Sequence, residues 1–164
     1  MKSIIIGIDP GLTGAVAVFT NGVFTTVYYL PVMENGKGKA TVKKKIDQVE
    51  LAWILAKHDP YCTHVFLEEV SSMPGQGVAS MFSIGRTIGA IEGVLAGLNI
   101  PYTLVSPKAW KRFHGITKPP HKKDAKLQDL ALARKLCPEV PLARMKDHNR
   151  ADAILIAAYG SQVT

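Results

Sequence analysis

The 164 residues are 47% hydrophobic and 20% charged, an ordinary globular composition that suits one domain with a real core. No apolar run reaches the roughly 18 residues of a membrane span, so no membrane partner is expected, and MKSIIIGID is too short and too soon polar for a secretory signal. The net charge of +7 is unevenly placed: residues 106–150 hold 12 of the 20 Lys and Arg but 4 of the 13 Asp and Glu, which points to a polyanionic partner, nucleic acid.

In chain order, SIIIGID reads as a strand buried on both faces. GAVAVFT is a second strand, and Asn21-Gly22 predicts a tight hairpin because both central residues of a type I′ turn need positive φ. VFTTVYYLP is the third strand, stopped by Pro31. Residues 34–45 are polar, glycine-containing and basic, and read as a flexible loop. From Lys44 to Lys57, Ile46, Val49, Trp53 and Ala56 fall at helical spacing. THVFLEEV is a fourth strand that returns parallel through a right-handed crossover. SSMPGQG is a loop, and residues 78–98 a long helix rich in small residues. PYTLVS is the fifth strand. Ser106-Pro107 reads as an N-cap followed by proline at the first helical position. Helices at 123–136 and about 149–161 close the chain. Three antiparallel strands followed by crossover strands make an α/β domain with a mixed sheet. Cys62 and Cys137 have no metal-type spacing and read as buried free thiols of a reducing cytoplasm.

Acids stand where acids are expensive. Asp9 ends the first strand and Glu68 and Glu69 the fourth, while Asp147 and Asp152 open the last helix. Asp9-Pro10-Gly11 is also good turn chemistry. If the first and fourth strands are parallel neighbours, Asp9 and Glu68 emerge at one sheet edge. Alternation puts Glu68 and Glu69 on opposite faces, and Glu68 is the expected partner. The last helix is apolar on most of its length, so Asp152 sits on or beside a buried face. Carboxylates converging there would repel unless a cation intervened. Hard divalent ions take oxygen ligands, and two of them can activate water for phosphodiester hydrolysis. Asp147 reads either as a ligand or as a first-turn acid favoured by the helix dipole. His148, four residues before Asp152, is a further candidate ligand or proton carrier.

IIIGIDPGLTGAVAV, the stretch from VFLEEVSSMPGQGVASMFSIGR to SPKAWK, and HNRADAILIAAYG resemble the RuvC-type Holliday junction resolvases, in the phage and bacterial branch similar to the chloroplast enzymes. The resemblance implies an RNase H-like fold with a mixed five-stranded sheet flanked by helices. It also implies a homodimer and Mg²⁺- or Mn²⁺-dependent symmetric nicking of four-way DNA junctions, with two ions per site. Its metal ligands would fall on Asp9, Glu68 and Asp152. The fourth family ligand would fall on Asn149, a departure, so that Asp147 or His148 must supply it. The resemblance places basic residues on Lys111 and on Lys122 or Lys123. With Lys108, Arg112 and Lys118 they would clamp the junction arms. Met73, Gln76, Phe82 and Arg86, in and after the loop that follows Glu68, are the expected contacts at the junction centre. It implies a bacterial or phage-infected cytoplasm, with an organelle stroma as the alternative.

Three other readings compete. A nuclease of this fold could act on other branched DNA or on RNA–DNA hybrids. A non-catalytic junction binder would keep the basic charge but gain nothing from clustered acids. A sugar-kinase-type phosphotransferase needs two such domains around a nucleotide, and the chain has neither the length nor a GxxxxGK[ST] loop, so no nucleotide cofactor is expected.

Overall fold

A computed structural model describes residues 3–36, 44–71, 75–117 and 121–164, without the side chains of Lys122 and Lys123. Strands β1 (Ile4–Asp9), β2 (Ala15–Thr20) and β3 (Val23–Tyr29) form an antiparallel meander. Asn21 and Gly22 both take positive φ (51° and 77°) in the first hairpin, as its sequence predicts. Strand β4 (Val32–Glu34) pairs with β5 (Lys44–Ile46) in a separate two-stranded ribbon, followed by helix α1 (Gln48–Leu55). Strand β6 (Thr63–Glu68) then joins β1 in parallel, helix α2 (Val78–Gly97) crosses over, and β7 (Tyr102–Val105) joins β6 in parallel. Helices α3 (Pro107–Phe113), α4 (Lys122–Leu136) and α5 (His148–Val163) complete the chain. The main sheet has the order β3-β2-β1-β6-β7. This is the mixed five-stranded sheet of the RNase H-like architecture.

Three expectations change. The stretch 44–57 is not one helix. Ile46 pairs with Val32 in the ribbon, and the helix starts at Gln48, capped by Asp47, whose carboxylate accepts from the amides of Val49 and Glu50. The helix buries Leu51, Ile54 and Leu55, leaving Val49 and Trp53 exposed, the latter at 73%. A helix that follows a paired strand takes its orientation from that strand, and the apparent stripe of Ile46, Val49 and Trp53 is lost. The basic loop at 34–45 is the ribbon at its two ends, and residues 37–43 lie outside the described residues. Cys137 is buried as expected, but Cys62 is only half-buried.

The sheet separates two apolar layers. Ile4, Ile6, Ile8, Leu51, Leu55, Ile91 and Leu95 pack on the side of α1 and α2, and Ile5, Phe66, Trp110, Leu130, Ile154 and Ala157 on the side of α3, α4 and α5. The long helix α2 has the length and composition of a membrane-crossing helix, but it carries Arg86 and Glu92 and packs one face on the sheet through Thr87, Ile91 and Leu95.

Helix α5 lies unusually close to β1. A Cβ on Gly7 would run into the main chain of Ala153 and Ala157, and one on Gly160 into the ring of Phe66. Backbone cannot give way as a flexible side chain does, so the approach depends on Gly7. Gly7→Ala is expected to destabilise the fold by about 3 kcal/mol, read as a fall in the denaturant midpoint at constant m.

Candidate active site at the carboxyl end of the central strands

Parallel pairing places Ile8 opposite Leu67, so the next residue on each strand, Asp9 and Glu68, leave the sheet side by side. Asp9 is half-buried. Burial first, and the Glu68 carboxylate second, push its pKa from the ordinary 3.8 to about 7, with Lys111 opposing. The turn after it is tight: the Gly14 amide donates to the Gly11 carbonyl at 2.8 Å, and a Cβ on Gly14 would collide with the Asp9 carbonyl. Glu68 accepts a 3.0 Å hydrogen bond from the indole Nε1–H of Trp110. Burial raises its pKa, while that bond and Lys111 pull it down. Trp110 is itself fully buried on α3, which starts at the expected cap: the Ser106 hydroxyl accepts from the Ala109 amide and Pro107 follows. Glu69, one residue past the end of β6, is exposed.

Asp152 arrives from α5, with one carboxylate oxygen buried and without a hydrogen-bond partner among the described residues. Its pKa is raised well above the ordinary range by burial first, then by Asp129, Asp9 and Glu68, with Lys111 again opposing. Asp152 thus feels the charge of Asp9 and of Glu68, and Asp9 that of Glu68.

Asp129 was not singled out by sequence. It lies on α4, 2% exposed, and its Oδ2 pairs with the Lys111 ammonium at 3.0 Å while its Oδ1 has no partner among the described residues. The available signal was position: Asp129 falls at four-residue spacing between Ala125, Ala133 and Cys137, an acid on a helix's apolar stripe.

Asp147 is not brought to this group. It is 1% exposed, in a short 3₁₀ turn (Met145–Asp147), and its oxygens are taken: Oδ1 accepts from Tyr29 (3.1 Å), Arg144 (3.0 Å) and Arg150 (3.0 Å), and Oδ2 from the Arg144 amide (2.8 Å). Arg144 and the other donors hold its carboxyl well below the usual carboxylate range. It anchors the start of α5 to β3 as a structural ion pair, and every lone pair a metal would use is already engaged. His148 has a different environment. Its Nδ1 lies 2.9 Å from the Met145 carbonyl, which can only accept. Nδ1 is therefore the donor, which in the neutral ring leaves Nε2 as the acceptor, one turn before Asp152. Asn149, where the family resemblance places a ligand, donates through Nδ2 to the carbonyl (2.7 Å) and hydroxyl (2.9 Å) of Thr13, tying α5 to the turn beside Asp9.

Among the described residues, no three His, Cys, Asp or Glu side chains form a ready-made cage for an ion. In kind, however, the donors fit a hard divalent cation: oxygens on separate elements, raised pKa values and two orphaned carboxylate oxygens, all relieved by positive charge.

The basic residues divide. Of the 12 in residues 106–150, Lys111 is paired with Asp129, Arg144 and Arg150 with Asp147, and Arg134 donates to the Leu142 carbonyl. Lys108 and Arg112 line a groove of about 580 Å³ with Lys111, floored by Ile116 and Ala125. Arg86 donates to Asn35 at 2.9 Å and lines a second cleft, about 220 Å³, with Lys44, Lys45, Ser83 and Thr87. Phe82 is 64% exposed on α2, and Gln76 donates to the Ser80 hydroxyl just before it. Met73 and Lys118 lie outside the described residues, as do the side chains of Lys122 and Lys123.

The strands and helices that carry these acids form an RNase H-like fold of the RuvC type. Thermus thermophilus RuvC superposes with a TM-score of 0.55 at 18% identity, over 95% of this chain and 92% of that one. The structure of T. thermophilus RuvC in complex with Holliday junction substrate superposes with a TM-score of 0.58 at 16% identity, over 96% and 91%. No family model and no curated protein sequence matches the chain.

The raised acids set a pH dependence. Asp9 keeps its proton to about pH 7 when folded but ionises near 3.8 when unfolded. The folded state thus binds more protons between those values, so stability present below about pH 4 is lost as pH rises through 7, and Glu68 and Asp152 act in the same direction. In chelator, wild-type melting temperature should fall from pH 4 to pH 7.5. Asp9→Asn should flatten that slope and gain up to about 4 kcal/mol at the upper end.

Proposed function

We propose that the chain is a divalent-cation-dependent endonuclease that resolves four-way DNA junctions by paired symmetric nicks. The carrying observation is the convergence of Asp9, Glu68 and Asp152 in a buried place that repels all three, on a fold shared with a protein solved on a Holliday junction substrate. Asp9, Glu68 and Asp152, with His148 as the fourth ligand in place of Asp147, would hold Mg²⁺ or Mn²⁺, two ions per site. When bound, the metal supplies a water of lowered pKa and stabilises charge at the phosphorus.

The chain's own groups do the rest. Trp110 fixes the rotation of Glu68, and Asn149 holds the Thr13 turn so that the path to Asp9 stays open. Lys111 brings positive charge beside the acids, where a scissile phosphate would sit. Lys108 and Arg112 on one side, and Lys44, Lys45 and Arg86 on the other, suit the phosphates of the arms. Asp9→Asn should bind a synthetic four-way junction but no longer nick it in Mg²⁺. His148→Ala should lower nicking about 100-fold with little change in melting temperature, whereas Asp147→Asn should first cost stability. The reverse pattern would return the fourth ligand to Asp147, and undiminished cutting by Asp9→Asn would remove the site.

Resolution of both strands needs two sites, and α2 offers the face to pair them. Val78, Phe82, Gly85, Gly89 and Gly93 form its exposed stripe, and a Cβ on any of these three glycines would meet open space. A second copy packed there could approach to backbone contact. Light scattering should give a dimer for wild type and a monomer for Gly89→Glu.

A further inference from the structure

Among the described residues, the Lys111 ammonium is the positive charge that acts on Asp9, Glu68 and Asp152 alike, yet it pairs with none of them. It is held instead by Asp129 at 3.0 Å and lies 4.8 Å from the centre of the Trp110 ring. Asp129 is 2% exposed and sits on α4, next to Leu130 in a layer otherwise built from apolar side chains. A buried acid that only filled space would be replaced at a gain by an apolar residue, because its desolvation is costly. Its position explains what it does. A flexible lysine beside three carboxylates would otherwise fall onto them, forming the ion pairs that a metal must displace.

We propose that Asp129 is a positioning residue that tethers the Lys111 ammonium to α4, holding it beside the three carboxylates rather than on them, so that the carboxylates stay available to a divalent cation while the ammonium remains poised for the phosphate. The inference rests on the cation reading of the site. It adds a residue on a different helix and a role that neither the strand-end acids nor the start of α5 supplies.

The test is a double-mutant cycle read by binding of Ca²⁺ alone, followed by titration calorimetry and by the shift in melting temperature of the full chain. Asp129→Asn should weaken Ca²⁺ binding about tenfold while Lys111 is present, and less than about twofold in a Lys111→Met background, where no ammonium remains to compete. Equal weakening in both backgrounds would mean that Asp129 acts on the cation directly, and no weakening in either would mean that it only packs. Each of those results overturns the proposal. Asp129→Ser, with room for a water at the lost carboxylate, replaces the Asn variant if the latter does not fold. Wild-type protein that binds no Ca²⁺ would fail the cation reading itself, and is distinguishable because it appears before any substitution is made.

Discussion

The rest of the molecule answers to one constraint: negative charge gathered where water is scarce. Asp9, Glu68 and Asp152 come from three elements and meet behind the carboxyl ends of β1 and β6, with Asp129 close enough to add to the repulsion. Folding alone would select against this. Lys111 and the Trp110 indole partly offset it, and burial holds the Asp9 carboxyl well above its ordinary pKa.

The scaffold brings the charges together by close backbone approach. Gly7 lets α5 settle onto β1, which sets the height at which Asp152 faces the strand ends. The ion-pair knot of Asp147 with Arg144, Arg150 and Tyr29 then fixes the start of α5 against β3, and Asn149 fixes it against the Thr13 turn. Asp147 and Asp152, five residues apart on the same segment, thus have opposite electrostatic fates. The first is stabilised as an anion by two guanidinium groups, and the second is left with an orphaned oxygen.

Much of this was legible in the sequence where local chemistry decides the outcome. The apolar run into Asp9, the Asn21-Gly22 hairpin and the Ser106-Pro107 cap each carry their own physical reason, and the mixed sheet follows from their order. Tertiary pairing overrode periodicity at Ile46, which a strand partner captured from the predicted helix. Asp147 and Asp152 look alike in sequence, and what separates them is the convergence of Arg144, Arg150 and, from β3, Tyr29 on the first. Asp129 was hidden for the same reason: its partner lies 18 residues earlier on another helix. The basic excess of residues 106–150 overstated the charge offered to a polyanion, since Arg134, Arg144 and Arg150 serve the fold.

The central claim is that the converging carboxylates form a cation site whose repulsion a divalent ion relieves. The most direct measurement is a calorimetric Ca²⁺ titration at pH 7 in two buffers of different ionisation enthalpy, on wild type and on Asp9→Asn. The account predicts binding to wild type with proton release, because the raised carboxyls must ionise to bind the ion, and for the variant a much weaker interaction that releases fewer protons, since Asp152 and Glu68 still have theirs to give. Binding without proton release, unchanged by Asp9→Asn, would contradict it.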